Sequence, residues 1–328
     1  MHIDHRLELI NEWLPTVIGT TDFTLNSASS DASFRRYFRV RFEDKTWIVM
    51  DAPPSHEDIK PFITIARFLY QHDIHVPKID AINHESGFLL LSDFGHKAYL
   101  DELNESSAET LYQSAIDSLL KVQQCPINNG INLPAYDRSL LQRELMLFPD
   151  WYLSKHLHAA IPDFLPKTFE LLINNALEQP QVIVHRDYHS RNLMHTADNS
   201  PGIIDFQDAV VGPITYDLVS LLRDCYISWP QTAIDDWIQY YFNKAQHLGL
   251  LTGISIKQFT KWFDLMGLQR HIKVLGIFSR LNYRDNKANY LNDLPLTLHY
   301  VQQISAKYPE FEELSDFISQ HPQITTVS

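Results

Sequence analysis

Over the first hundred residues the apolar positions more often alternate than wind; beyond them they wind. Ile3, Leu7, Ile10 and Trp13 recur at helical spacing and predict a first helix over 3–14. The run from Asn26 to Ser33 is small and polar and predicts a loop. Phe38, Val40 and Phe42 then alternate with charged residues, which places them on one face of a strand, with Tyr37 departing slightly. Glu43-Asp44-Lys45 predicts a turn and Thr46–Asp51 the returning strand, so the two form a hairpin. Ile59, Phe62, Ile63, Ala66 and Leu69 predict a helix over 56–71, with Pro61 near its first turn. Phe88–Leu91 predicts a short buried strand closed by a polar turn at Ser92–Gly95.

After about residue 100 amphipathic segments take over, at 105–123, 138–158, 164–178, 215–226, 231–248, 255–277 and 294–306. The one interruption is 182–210, where two apolar runs, Val182–Val184 and Gly202–Ile204, each lead into ionisable residues. The pattern predicts an α+β chain, strand-rich over 1–95 and helical over 96–328, with no internal repeat. The 328 residues suffice for two lobes sharing a cleft.

Charge then narrows the partners. A net charge of -13 disfavours nucleic acid and anionic membranes. It leaves room for a phosphate-bearing ligand, because a metal ion bridges two negative groups. No run is apolar enough to span a bilayer, and the N-terminus lacks the apolar core of a signal peptide. Cys125 and Cys225 are far apart and in no metal-type spacing, so the expectation is reduced thiols in a cytoplasmic protein.

The chemistry concentrates in His185-Arg186-Asp187-Tyr188-His189-Ser190-Arg191-Asn192 and in Asp205-Phe206-Gln207-Asp208. An Asp is followed five residues later by an Asn, and a second Asp lies eighteen residues after the first, each beyond an apolar run. Phosphoryl transfer needs an aimed hydroxyl and neutralised phosphate charge. Asp187 is the candidate base that takes the hydroxyl proton. Asp205 and Asn192 are candidate magnesium ligands, since that ion prefers hard oxygens. His185 and His189 are four apart, but the Glu of a zinc His-Glu-x-x-His motif is absent and a strand precedes them. His185 is therefore expected to hold the loop backbone.

From His185 to Asp224 the chain resembles the aminoglycoside phosphotransferase superfamily, which includes choline and homoserine kinases. The resemblance rests on His185, Asp187, Asn192, Ile204-Asp205-Phe206, Gly212-Pro213 and Tyr216-Asp217-Leu218. It implies a two-lobed protein-kinase-like fold, ATP as co-substrate, and Asp217 as a structural support of the catalytic segment. Asp205–Val210, Gly212–Tyr226, Met50–Pro54, Phe148–Tyr152 and Leu268–Phe278 are further similar to the bacterial anomeric amino-sugar kinases of cell-wall recycling. That resemblance implies phosphorylation of N-acetylmuramate and N-acetylglucosamine and a downstream uridylyltransferase.

Kinases of this plan carry a lysine on the third strand, where the resemblance places Met50 in this chain. Arg35, Arg36 or Lys60 are candidate replacements. Ser30 and Ser33 occupy the position of the phosphate-covering loop, and Leu91 and Asp93 that of the hinge at the base. A sugar wants aromatic faces and partners for its hydroxyls, which Glu144, Trp151, Tyr152, Asp224 and Tyr226 supply by type. Arg223 is the candidate partner of a lactyl carboxylate. Arg270, His271 and Lys273 are expected at a rim or in a structural role. Two other readings stay open: an aminoglycoside or amino-alcohol kinase, and a pseudokinase, for which Met50 argues.

Overall fold

The computed structural model describes residues 4–30, 34–127 and 130–320, with only the backbone of Ser29 and Ser30. Its contacts divide the chain into two units, Met1–Lys97 with Met194–Asp208, and Ala98–Leu193 with Ala209–Ser328.

In the first unit α1 (His5–Ile18) starts where the Asp4 side chain accepts from the Leu7 N–H at 3.2 Å. Five antiparallel strands follow: β1 (Thr24–Ser30), β2 (Arg36–Phe42), β3 (Lys45–Asp51), β4 (Ile79–Asn83) and β5 (Phe88–Ser92), in the order β1-β2-β3-β5-β4. Helix α2 (Lys60–Gln71) comes between β3 and β4, with Pro61 in its first turn. The core joins Ile10 and Leu14 of α1 to Val40, Val49, Phe88 and Leu90 of the sheet. The predicted hairpin forms, Phe38 facing Val49 and Val40 facing Trp47.

The polar run from Asn26 to Ser30 is strand rather than loop. It is an edge strand made by main-chain pairing to β2, with a register shift between Ser27 and Ser29, so no apolar alternation marks it. Strand β4 also carries too little alternation to have been foreseen.

The second unit contains α3 (Tyr99–Glu102), α4 (Ala108–Gln124), α5 (Arg138–Leu145), a π-helix (Phe148–His156) and α6 (Leu165–Leu177). Then β6 (Gln181–Val184) pairs with β9 (Val210–Pro213); in the stretch between them, assigned to the first unit from Met194 to Asp208, β7 (Leu193–Met194) pairs with β8 (Gly202–Ile203). Helices α7 (Tyr216–Leu222), α8 (Gln231–His247), α9 (Ile256–Asp285), α10 (Leu294–Lys307) and α11 (Glu312–Ser319) complete it.

Helix α9 is the axis of this unit. It is buried along most of Phe259–Leu281, and the π-helix, α6, α7 and α10 pack on it. A helix covered on all sides loses its amphipathic stripe, so periodicity ended it too early, at 277 rather than 285. Gly276 lets the chain at Leu147 approach closely: a Cβ there would lie 2.5 Å from the Leu147 carbonyl oxygen. The predicted helix over 138–158 is two elements, because Pro149 in the first turn of the second cannot donate a main-chain hydrogen bond.

Residues 194–208 belong with the sheet-bearing unit, although the linear pattern grouped them with the helices. The Ile203 N–H donates to the His75 carbonyl at 2.7 Å, and Phe206 packs on Phe62 at 4.9 Å between ring centroids. A Cβ on Gly202 would fall 2.5 Å from the Phe94 ring. Among the described residues no helix is long and apolar enough to cross a membrane. Cys125 and Cys225 are both free and buried.

Candidate active site

In the second unit β6 delivers the chain into His185–Asn192. Asp217, fully buried at the start of α7, accepts from the backbone N–H of His185 at 2.6 Å and of Arg186 at 3.0 Å. Burial pushes its carboxyl up to about 7, against the pull of those two donors. The His185 Nδ1 accepts from the Asp187 N–H at 3.3 Å, so the imidazole faces the loop backbone, the role the sequence suggested for it. Asn192 donates its side-chain N–H to the Asp187 carbonyl at 3.0 Å. Arg186 sits at φ 78°, a left-handed conformation that costs a non-glycine residue free energy and is held here by the two Asp217 contacts and by Glu144.

Asp187 is half-buried. Burial opposes its charge, yet His189, Lys273, Arg270 and His185 hold its carboxyl below the usual range. Arg270 and Lys273 are therefore not at a rim. Both are buried on α9 beside the catalytic segment, which no pattern within α9 alone announces.

Four substrate candidates are buried and engaged within the chain. Glu144 is buried and holds Arg186, Lys273 at 3.0 Å and the Tyr136 hydroxyl; burial opposes its charge, and the two cations keep it ionised. Arg223 is 1% exposed, bound to Asp264 at 2.6 Å and stacked on Phe263, so its carboxylate partner is the chain's own. Tyr152 is 2% exposed, stacked between Phe148 and His156. Asp224 is buried as well: it accepts from Ser190 N–H and hydroxyl and from the Tyr226 N–H at 3.1 Å, which makes it a brace of the loop.

Two candidates remain near the surface. Trp151 is half-buried on the π-helix. Tyr226 meets the His189 ring edge-on at 5.3 Å and lies under the Arg191 guanidinium at 3.5 Å. The contribution of Ser190 escapes the sequence reading, because its partner lies thirty-four residues away; Lys273, expected in a rim or structural role, pairs with buried Glu144.

In the first unit Asp205 also has a left-handed backbone, at φ 65°, and Gln207 donates to its Oδ1 at 2.8 Å. Its ordered carboxylate and the amide of Asn192 are hard-oxygen donors of the type magnesium takes. Among the described residues there is no cluster of three or more His, Cys, Asp or Glu of the kind that makes a self-sufficient metal site.

Met50 is 1% exposed, with Tyr37 and Leu89 as its cross-strand partners, so it packs rather than binds. Lys60 is exposed at the start of α2. Arg36 is spent on Asp51, at 2.6 Å, and on Asp4. Arg35 donates to Glu57 at 3.1 Å and also feels the charge of Asp205, which singles it out among the three proposed replacements. Asp93 is held by Arg39 at 2.6 Å and caps the Gly95 N–H at 2.8 Å, so its side chain is engaged. Leu91 is buried in the sheet opposite Ile48, leaving only main-chain atoms to meet a base. Ser33 and the side chain of Ser30 lie outside the described residues.

Against known proteins, residues 24–250 match the phosphotransferase enzyme family. A protein of Pseudomonas putida named N-acetylmuramate/N-acetylglucosamine kinase is 45% identical over 90% of this chain and 88% of its own. One of the same name from Pseudomonas aeruginosa is 43% identical over 98% of this chain and 99% of its own. Among solved structures, a Plasmodium vivax ethanolamine kinase superposes with a TM-score of 0.66 at 12% identity, over 94% of this chain and 89% of its own. A choline kinase of Streptococcus pneumoniae gives 0.64 at 10% identity, over 93% and 100%. These last two speak for the fold, a β-sheet lobe and a helical lobe of protein-kinase-like type. By the matched residues and by the identity to its relatives, the chain belongs to the phosphotransferase enzyme family.

Proposed function

We propose that this chain transfers the γ-phosphoryl group of ATP to the anomeric hydroxyl of N-acetylmuramate and N-acetylglucosamine. The observation that carries the reading is the catalytic segment itself: Asp187 lies on a loop braced by Asp217 at His185–Arg186 and by Asp224 at Ser190. The names borne by relatives at 43–45% identity direct the choice of acceptor.

In this mechanism the ionised Asp187 accepts the anomeric O–H, orients that oxygen and takes its proton as the phosphoryl group arrives. His185 and the two bracing carboxylates keep the loop from moving, so the oxygen is aimed before reaction. Asn192 and Asp205 are the proposed magnesium ligands; the ion, when bound, neutralises phosphate charge. Arg35 is the proposed cation at the nucleotide phosphates. The product is a sugar 1-phosphate, the form that a uridylyltransferase converts to a nucleotide sugar, and the proposed setting is the cytoplasm.

The test is an ADP-release assay with magnesium and ATP, comparing both amino sugars, kanamycin and no acceptor. Turnover with the amino sugars is expected, with a loss of about 10²–10⁴-fold in a folded Asp187→Asn variant. Turnover with kanamycin alone would overturn the acceptor. A fully active Asp187→Asn protein would overturn the mechanism.

A further inference from the structure

Helix α9 carries a basic stripe. Arg270, Lys273, Ile277, Arg280 and Arg284 follow at three- and four-residue steps and share one side of the helix. Two of its cations, Lys273 and Arg284, are paired with carboxylates of the chain. Arg270 faces the Cys225 Sγ at 3.7 Å. Lys273 holds the Tyr216 hydroxyl at 2.9 Å and Glu144 at 3.0 Å. Arg284 is held by Asp285 at 2.7 Å and 2.9 Å.

Arg280 differs from these in being partly exposed and in having no ion pair among the described residues, although the buried Arg270 shares its orphaned Nε. The Nε of Arg280 is closed off from solvent with no acceptor. Burial and the neighbouring Arg284 work against its charge, while Asp285, itself bonded to Arg284, favours it without bonding it. A cation in such a place ordinarily recruits a carboxylate, because an unpaired buried charge is costly.

Its position says which carboxylate. Arg280 is four residues past Gly276, which lies against Leu147 just before the π-helix. It is three residues before Tyr283, whose hydroxyl meets His156 Nδ1, at the end of the same π-helix, at 3.1 Å. It is seven residues past Lys273, one of the cations that stabilise ionised Asp187. Arg280 therefore stands on the side of α9 that runs from the π-helix to the catalytic segment. A helical side chain covers the surface over the preceding turn, so the guanidinium reaches back toward Lys273 rather than away from it.

We propose that Arg280 receives the lactyl carboxylate of N-acetylmuramate and sets the preference for that sugar over N-acetylglucosamine, which lacks the group. The planar guanidinium matches a carboxylate in a bidentate way, and the bound substrate supplies a directly bonded anion, where Asp285 acts on Arg280 only through its charge. The inference rests on the amino-sugar kinase reading. It moves to Arg280 the role that residue type alone suggested for Arg223.

The experiment measures kcat/KM on both sugars for the wild type, Arg280→Met and Arg280→Lys, with thermal melts alongside. Arg280→Met is expected to lose roughly 10- to 100-fold on N-acetylmuramate, the range for a hydrogen bond to a charged group, and to keep its rate on N-acetylglucosamine within about twofold. Arg280→Lys is expected to recover part of the loss. The melting temperature is expected not to fall, since no group of the chain loses a partner. Equal losses on both sugars, or none on N-acetylmuramate, would overturn the proposal. If the wild type turns over neither sugar, the amino-sugar reading itself fails and this inference falls with it.

Discussion

The carboxylate of Asp224 takes both the backbone N–H of Ser190, at 3.0 Å, and its hydroxyl, at 2.5 Å. Both groups are buried, so the contact locks the far half of the catalytic loop against water and fluctuation. Asp224→Asn keeps the volume and exchanges an anionic acceptor for a neutral amide. A hydrogen bond to a charged group contributes about 1.5–3 kcal/mol, so kcat is expected to drop roughly 10- to 100-fold. The sugar KM should change little, because both Asp224 oxygens are already bonded within the chain. A large rise in sugar KM at constant kcat would return Asp224 to the pocket.

Two buried groups give opposing pH dependences of stability. Asp217 has its carboxyl raised to about 7 from 3.8. The folded state therefore keeps a proton that the unfolded state releases, and this contribution is full below pH 3.8 and lost as pH rises through 7. His271, stacked on Tyr300 and donating to the Arg223 carbonyl at 2.9 Å, is lowered to about 3 from 6.5, chiefly by burial. Its contribution is full above pH 6.5 and lost as pH falls toward 3. Between about pH 4 and 6.5 the slopes offset, each about 1.4 kcal/mol per pH unit. His271→Gln is expected to expose a stability that falls with rising pH, and Asp217→Asn one that rises. Denaturant titrations across that window measure both, and parallel curves for all three proteins would refute the assignment.

Gly276→Ala tests the close approach of α9 to the π-helix. The added Cβ meets main-chain atoms of Leu147, which cannot turn aside as a flexible side chain would. Overpacking of this kind is expected to destabilise by about 2–3 kcal/mol. An unchanged melting temperature would show that the two elements separate freely.

Arg35 and Arg36 are adjacent in sequence but differ in surroundings. Arg35→Ala is expected to raise the KM for ATP about tenfold, by removing a cation near Asp205. Arg36→Ala is expected to leave that KM alone and lower the melting temperature by a few degrees, since it strips one of two arginines from buried Asp51. Nucleotide titrations of both variants decide, and equal effects on KM would refute the distinction.

Local chemistry was written in the sequence. The spacing of Asp187, Asn192 and Asp205 needs only neighbouring residues on short strands and turns, and helices with one apolar face show their period whatever they pack against. The hairpin of β2 and β3 was legible for the same reason. What the linear chain could not show depends on partners far away in it. Edge strand β1 exists because β2 supplies its hydrogen bonds. Arg223 and Arg280 are the same residue type near the same segment, and nothing local tells them apart. Only the fold bonds Asp264 to Arg223 inside the helical unit and leaves Arg280 partly exposed with no ion pair among the described residues, so the first is a structural ion pair and the second a site awaiting an anion.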